Sequence, residues 1–234
     1  MYRWFLLGFL LAALNLNAKD RPPNFVVILA DDMGYGDATC YNPKSKSPTP
    51  NIDRLAREGM RFTDAHSPAS WCVPTRYGML TGRYPHRADM DWRRKAVIEE
   101  GRTTVGSALR EQGYSTAMVG KWHLGFDGGP DYDYTKPLVG GPLDRGFDFY
   151  YGMSHSLDIV PYYYISGRKA VMVPDQQIGP RNTEGWSPIQ GEFWRGGPIS
   201  PDFKHVEVLP RFTEQSVDYP VSYTHLTLPT NREV

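Results

Sequence analysis

The chain has 234 residues, of which 40% are hydrophobic and 22% are charged, an ordinary globular balance with enough length to bury a core. Its 26 basic residues balance 26 acidic residues, so the net charge gives no reason to expect a nucleic-acid or anionic-membrane partner. Only two cysteines are present, which excludes a cysteine-rich scaffold and a cysteine-based zinc site.

The N-terminus has the pattern of a secretory signal peptide. Arg3 precedes an apolar run over residues 4–16, which is shorter than the roughly 20 residues that a membrane span needs. We predict a signal peptide over residues 1–18, cleaved near Ala18, and a secreted or periplasmic protein without a stable membrane span. A buried N-terminal helix or an uncleaved anchor is the alternative.

A buried strand is predicted at the start of the mature chain. Residues 24–30, Asn-Phe-Val-Val-Ile-Leu-Ala, form a continuous apolar, β-rich run typical of a parallel sheet. The run ends in Asp31 and Asp32, at the strand end where α/β proteins place their sites. Paired carboxylates suit Ca²⁺ or Mg²⁺ better than zinc, although a turn or a helix cap would also use them.

Helical and strand patterns alternate after this point. Residues 51–58 have helical spacing, and residues 60–65 read as a short strand. After Cys72, Pro74 suits the first turn of a helix that we expect to end at Gly82.

A second helix and strand follow. Thr104 can cap a helix that runs to Arg110, with three apolar side chains inward: Val105, Ala108 and Leu109. Residues 114–119 then read as a strand, with Gly-Lys-Trp-His over residues 120–123 at its carboxyl end. The alternation predicts an α/β fold with a mostly parallel central sheet flanked by helices.

The remainder is rich in Gly, Pro, Tyr and Trp. We predict that residues 126–201 form long loops that line the site, with short strands such as 169–173, and that residues 207–219 open another helix. The pattern breaks near residue 221, and we expect residues 221–234 to be a disordered or non-native tail. Residues 24–220 would then be the N-terminal part of one catalytic domain.

Two motifs carry a family resemblance. The segment Cys-Val-Pro-Thr-Arg over residues 72–76 resembles the sulfatase motif, Cys-x-Pro-x-Arg, in which the cysteine is oxidised to Cα-formylglycine. Residues 113–123, ending in Gly-Lys-Trp-His, resemble the second signature of the same family. The resemblance covers residues 24 to about 160 and implies the alkaline-phosphatase-like fold. Trp71 and Val73 depart from the residues usual beside the modified cysteine.

The resemblance implies a sulfuric ester hydrolase that acts on aryl or carbohydrate sulfates. It also implies one Ca²⁺ ion, for which the candidate ligands are Asp31, Asp32 and the modified Cys72. The chemistry agrees, because a hydrated aldehyde offers two hydroxyls, one to attack sulfur and one to let the aldehyde re-form. A formylglycine-generating enzyme is therefore an expected partner, together with the sulfated substrate.

Three further residues are expected in the catalytic site. Arg76 lies one helical turn after Cys72 and can hold the formylglycine hydroxylate. Lys121 can reach a sulfate oxygen as a point charge. By resemblance His123 hydrogen-bonds the formylglycine, and its ordinary, near-neutral pKa would suit proton transfer.

Other interpretations stay open. A phosphonate or phosphate ester hydrolase of the same superfamily would share these features, and so would an inactive or carbohydrate-binding fragment. The resemblance implies further metal ligands, a second histidine and a second lysine downstream, so the chain alone is expected to be inactive. His155 could lie near the substrate or could belong to a structural turn.

Overall fold

The structure is a computed structural model that describes residues 22–129, 132–183 and 192–222. The predicted signal peptide, residues 1–18, lies outside these ranges, and so does the predicted tail from residue 223 onward. Within the described ranges, every helix is too short or too polar to span a lipid bilayer.

In the described residues three α-helices come first, short strands follow, and a longer helix comes last. The α-helices are α1 Pro50–Glu58, α2 Cys72–Thr81, α3 Val105–Glu111 and α4 Val208–Ser222. Short 3₁₀ helices are Pro85–Arg87, Pro142–Arg145 and His205–Glu207. The strands are β1 Ala117–Lys121, β2 Phe149–Met153, β3 Tyr164–Ser166, β4 Lys169–Ala170, β5 Gln176–Ile178, β6 Arg181–Asn182, β7 Phe193–Trp194 and β8 Gly197–Ile199.

The largest sheet of the described residues has the order β1-β2-β3-β4. Strands β1 and β2 are parallel, in register from Ala117 opposite Phe149 to Lys121 opposite Met153. Strands β3 and β4 continue the sheet by antiparallel pairing. Because the carboxyl ends of parallel strands meet at one edge, the residues after Lys121 and after Met153 must lie together. The predicted α/β class is confirmed.

Helix α2 carries the cysteine motif at its N-terminus. It begins at Cys72, two residues before Pro74, and ends at Gly82, whose φ of 64° is the left-handed cap expected there. Val73 and Tyr77 are fully buried. The motif is therefore anchored to the core by its own apolar residues.

Helix α3 shows where the apolar pattern misleads. Thr104 caps it as predicted, accepting a hydrogen bond from the Ser107 amide. The inward positions were wrong for Val105 and Ala108, which are exposed. Gly106 is buried instead. The backbone of Gly146 approaches it so closely that a Cβ at position 106 would lie 3.0 Å from the Gly146 carbonyl oxygen. Close backbone approach, rather than side-chain packing, sets this helix face.

Two predicted strands are absent from the structure. Residues 24–30 and 60–65 form no strand, and the large apolar side chains of both segments are exposed. In the first segment the Phe25 ring is 5.7 Å from the Tyr114 ring, but the apolar side chains from Phe25 to Leu29 stay exposed. A third predicted strand, residues 169–173, is shortened to Lys169–Ala170. An apolar run becomes a buried strand only where neighbouring elements cover it.

The main core lies under the carboxyl ends of β1 and β2. Its largest fully buried side chains include Trp122, Leu124, Tyr150 and Ile165. The Trp122 indole donates to the carbonyl of Gly125 at 2.8 Å, and the Val97 amide donates to the Leu124 carbonyl at 2.8 Å. The loop after β1 is thus fixed by hydrogen bonds as well as by apolar contacts.

Gly125 tests how tightly this loop is packed. It has a φ of 71°, and a Cβ would lie 2.2 Å from the carbonyl oxygen of Lys95 and 2.4 Å from that of Trp92. We expect Gly125→Ala to lower the free energy of unfolding by about 3 kcal/mol or more, because left-handed strain and a backbone overlap act together. Urea denaturation of the purified chain measures this change.

The matched control is Gly113→Ala. Gly113 also has a positive φ, 85°, but a Cβ there meets nothing within 4 Å. Gly113→Ala should lower the free energy of unfolding by only about 1 kcal/mol, because only the left-handed backbone conformation is then strained. Equal effects of the two substitutions would contradict the close packing around Gly125.

Candidate active site

A hydrogen bond ties the helix of the cysteine motif to the end of β1. The Arg76 guanidinium donates through Nη1 to the carbonyl oxygen of Lys121 at 2.7 Å. Arg76 lies one turn after Cys72, which opens helix α2. The contact therefore places Cys72 at the same edge of the sheet as the residues that follow β1.

A charge cluster surrounds this contact. The Lys121 ammonium is 2.8 Å from Oδ2 of Asp31, and the Arg76 Nη2 atom is 4.0 Å from the same oxygen. The side chains of Lys121 and Arg76 are only 6% and 11% exposed, whereas that of Asp31 is 46% exposed. Two nearly buried cations thus share one carboxylate, which leaves an excess of positive charge that favours an anion.

The environment of Arg76 reflects this arrangement. Burial lowers the pKa of its guanidinium, while the nearby Asp31 carboxylate and Cys72 side chain act in the opposite direction. The Cys72 side chain and the Asp31 carboxylate thus influence the same guanidinium. The structure therefore brings Cys72, Asp31, Arg76 and Lys121 together, and their catalytic roles stay predictions.

His123 lies two residues beyond Lys121 and is buried. Both of its ring nitrogens lack a hydrogen-bond partner among the described residues, an unusual condition for a buried polar group. Its φ of 54° is in the left-handed region, which a histidine adopts rarely. Unpaired ring nitrogens and backbone strain together are typical of a functional position.

The predicted near-neutral pKa of His123 is not found in this structure. Burial lowers its pKa to about 3, and the positive charge of Lys121 adds to the effect. The imidazole is therefore neutral at ordinary pH. It can donate a hydrogen bond from one nitrogen and accept one at the other.

His155 and Trp92 belong to the same edge. The amide of His123 donates to the Ser154 carbonyl at 3.0 Å, which brings His155 close because β1 and β2 are parallel. The Trp92 ring centroid is 4.6 Å from the centroid of each histidine ring, and the two histidine centroids are 6.0 Å apart. His155 therefore lies beside His123. Of the two interpretations left open by the sequence, this position favours a place near the substrate over a purely structural turn.

The sequence could have indicated His155 but not Trp92. Phe149–Met153 is an aromatic, β-rich run followed directly by Ser154 and His155, the same arrangement that pointed to Lys121 and His123. Trp92 lies in a loop without any local pattern. Its place beside the histidines is set by contacts distant in sequence.

The predicted ligands Asp31 and Asp32 do not by themselves make a complete metal site. Asp32, directly after Asp31, is exposed and has a φ of 55°, so its carboxylate is carried on left-handed backbone. No group of three or more His, Cys, Asp or Glu side chains poised for a metal occurs in the described residues. Ca²⁺ takes about six to eight oxygen ligands. The two aspartates fit it in donor type, and more ligands are required.

Neither cysteine forms a disulfide in the described chain. Cys40 and Cys72 are both free and half-buried. Cys40 lies near the Arg61 side chain, which donates to its carbonyl oxygen, away from the charge cluster. Cys72 therefore remains available for chemistry.

Acid should destabilise the fold through the two buried histidines. Burial lowers the pKa of His155 to about 4, and that of His123 to about 3, from an ordinary 6.5. Between these values and 6.5 the unfolded chain binds protons that the folded chain does not. Stability is therefore full above about pH 6.5 and falls as the pH drops. We expect a loss of about 1–2 kcal/mol per histidine between pH 7 and pH 5, measured by urea denaturation.

Two variants separate this effect from general acid sensitivity. His155→Gln should remove about half of the loss, whereas His66→Gln should leave it intact because His66 is exposed beside Asp64. An unfolding free energy that does not change between pH 7 and pH 5 would contradict the assignment of both histidines as buried and neutral.

Comparison with known proteins gives the family. A family model described as Sulfatase matches residues 23–177. The chain is 44% identical over 151 residues to human arylsulfatase A, covering 62% of this chain and 28% of that protein. It is 35% identical over 157 residues to an N-acetylgalactosamine-6-O-sulfatase of Bacteroides thetaiotaomicron, covering 65% and 30%.

A solved structure agrees with these relatives. It is described as part of the metabolism of multiple glycosaminoglycans by Bacteroides thetaiotaomicron and superposes with a TM-score of 0.68 at 26% identity, covering 82% of this chain and 46% of its own. The chain spans less than a third of the length of these curated relatives. With the family model matching more than half of the sequence, this chain belongs to the sulfatase family.

Proposed function

We propose that the protein hydrolyses sulfate monoesters of aryl or carbohydrate alcohols. The observation that carries the proposal is the excess of positive charge where Lys121 and Arg76 share Asp31, next to the first residue of helix α2. A sulfate ester is an anion, so binding and transition-state stabilisation both need this charge. Relatives named as sulfatases of aryl and amino-sugar substrates support the reaction class.

We propose Cys72, converted to Cα-formylglycine, as the nucleophile. In the conversion the Cβ–S bond would break, sulfur would leave as sulfide and a C=O bond would form, while two electrons pass from Cβ to an external oxidant such as dioxygen, used by a formylglycine-generating enzyme. Hydrated, the aldehyde would offer one hydroxyl to attack sulfur and a second whose deprotonation lets the aldehyde re-form and sulfate leave. The N-terminal position of residue 72 supports this role, since helix N-termini favour anions.

The neighbouring side chains would divide the remaining work. Arg76 holds the hydroxylate of residue 72 and is itself fixed by its bond to the Lys121 carbonyl. Lys121 binds a sulfate oxygen, exchanging its contact with Asp31 for the incoming anion. His123, neutral and without partners for its ring nitrogens, hydrogen-bonds the diol and can take up one proton when a negative charge arrives.

We propose that Asp31, Asp32 and residue 72 would hold one Ca²⁺, with other ligands supplied from elsewhere in the protein or by water. Such an ion supplies charge neutralisation at the sulfate oxygens when bound. The two adjacent aspartates support it by donor type, since hard oxygen ligands suit this ion. Asp31 pairs with Lys121 in this structure. If Asp31 turned to bind the Ca²⁺ ion, the Lys121 ammonium would become free to bind the substrate.

The mature protein would act outside the cytoplasm. The signal-peptide pattern over residues 1–18 supports secretion or export to the periplasm. A sulfated small molecule or glycan and the formylglycine-generating enzyme are the proposed partners. The alternative of an inactive fragment applies to this chain by itself, so activity is to be tested on the full-length protein.

Mass spectrometry tests the nucleophile. In active full-length protein, the peptide that contains residue 72 should be lighter by about 18 mass units, as expected when aldehyde replaces thiol. Cys72→Ala should lower kcat by at least about a thousandfold, since a covalent nucleophile is lost. Cys40→Ala is the control and should retain activity, because Cys40 lies away from the cluster. An active enzyme that holds only unmodified Cys72 would refute the mechanism.

Matched esters separate the sulfatase from its closest alternative. We expect 4-nitrophenyl sulfate to be hydrolysed with a kcat/KM at least about tenfold above that of the corresponding phenylphosphonate monoester. Both esters carry one negative charge, so the difference must come from shape: the sulfate offers three non-bridging oxygens to Lys121, Arg76 and a bound ion, whereas the phosphonate offers two and has a phenyl group in place of the third. A higher kcat/KM for the phosphonate would assign the protein to phosphonate ester hydrolysis instead.

A further inference from the structure

The loop that carries Trp92 presents an unneutralised cation at the site. Three consecutive basic residues follow Trp92: Arg93, Arg94 and Lys95. Arg94 pairs with Asp89 at 2.8 Å and with Asp91 at 3.3 Å, and Lys95 pairs with Asp89 at 3.1 Å. Arg93 is exposed and forms no ion pair with a carboxylate in the part of the chain that the structure describes.

The Arg93 guanidinium is nevertheless held in place. Its Cζ atom lies 4.4 Å from the ring centroid of Trp92, a cation–π contact that fixes the guanidinium plane and leaves its N–H groups free to donate. Trp92 is itself only 6% exposed, so the surface on which Arg93 rests is rigid. A guanidinium that is ordered without a carboxylate is preorganised to bind an external anion.

Trp92 links Arg93 to the two histidines of the candidate site. The same indole contacts both His123 and His155, with 4.6 Å between ring centroids in each case. Arg93 and the proposed catalytic residue His123 therefore contact the same indole. The positive charge of Arg93 contributes to the lowered pKa of His155, which places its field at this edge.

Arg93 rests on Trp92 beside the histidines and is not a member of the Lys121–Arg76–Asp31 cluster, so we assign it to a second anion and not to the sulfate that would be hydrolysed. The second anion would be a charged substituent on the same or an adjacent sugar ring, since neighbouring ring substituents are several ångströms apart. We propose that Arg93 binds a second anionic group of the substrate and makes the enzyme selective for polyanionic sulfate esters. This inference rests on the proposed sulfatase function. Its chemistry would accept a second sulfate or a carboxylate.

Kinetics of the full-length enzyme test the proposal. Sulfate release is followed from three disaccharides that carry one sulfate only, one sulfate and a uronate carboxylate, or two sulfates. Arg93→Gln should lower the preference for the doubly charged over the singly charged substrate about fivefold, which is the change expected on losing an exposed ion pair. Most of this change should appear in KM. The two doubly charged substrates distinguish a carboxylate from a second sulfate as the bound group.

Arg94→Gln is the matched control, because the Arg94 guanidinium is already paired with Asp89 and Asp91. It should leave the preference as it is in the wild type. Raising NaCl to about 0.5 M should reduce the wild-type preference and have little effect on Arg93→Gln, since salt screens an exposed pair. An equal effect of Arg93→Gln on singly and doubly charged substrates, or no effect on either, would overturn the proposal.

A binding experiment keeps this inference separate from the reaction. If the wild type hydrolyses none of the three disaccharides, the proposed function fails, and the same compounds are then titrated calorimetrically into the full-length protein. About fivefold tighter binding of a doubly charged disaccharide, lost in Arg93→Gln, would still support an anion subsite at Arg93. Equal affinities for all three compounds would overturn it.

Discussion

The Arg76–Lys121 contact determines how the site is arranged. One hydrogen bond of 2.7 Å joins Arg76, one turn into α2, to Lys121, the last residue of β1, which lies 45 residues further along the chain. The helix contributes Cys72, and the strand contributes Lys121 and, two residues later, His123. Since the bond uses a backbone carbonyl, it fixes the helix against the strand whatever the Lys121 side chain does. The ammonium group stays free to exchange partners.

That freedom has a chemical consequence. Two nearly buried cations with one half-exposed carboxylate are costly to maintain, because desolvation penalises each charge. The arrangement is reasonable if an anion completes it, as a sulfate ester would. The buried neutral histidines fit the same picture, because adding further positive charge at this edge would be unfavourable. The electrostatics and the proposed chemistry therefore agree.

The sequence predicted where local elements begin and end better than it predicted how they pack. The spacing of Cys72, Pro74 and Arg76 indicated a helix start, and the polar residues after β1 indicated a strand end, because both depend on local constraints. Residues 24–30 could not be judged in this way: their hydrophobicity is local, but burial depends on elements that cover them. Thr104 was correctly predicted as a cap, whereas the buried face of α3 was set by a distant backbone approach at Gly106.

Trp92 and His155, which lie beside His123 at the carboxyl ends of β1 and β2, could not be placed there from local sequence alone. Trp92 and His155 are brought to His123 by the parallel pairing of β1 with β2 and by the fold of a loop without local pattern. The decisive measurement is a crystal structure of the full-length protein with bound inorganic sulfate, the product of the proposed reaction. We expect sulfate oxygens on Lys121 and beside residue 72, with Asp31 and Asp32 facing residue 72. Sulfate bound elsewhere, with both aspartates turned away from residue 72, would contradict the assignment of this edge as the active site.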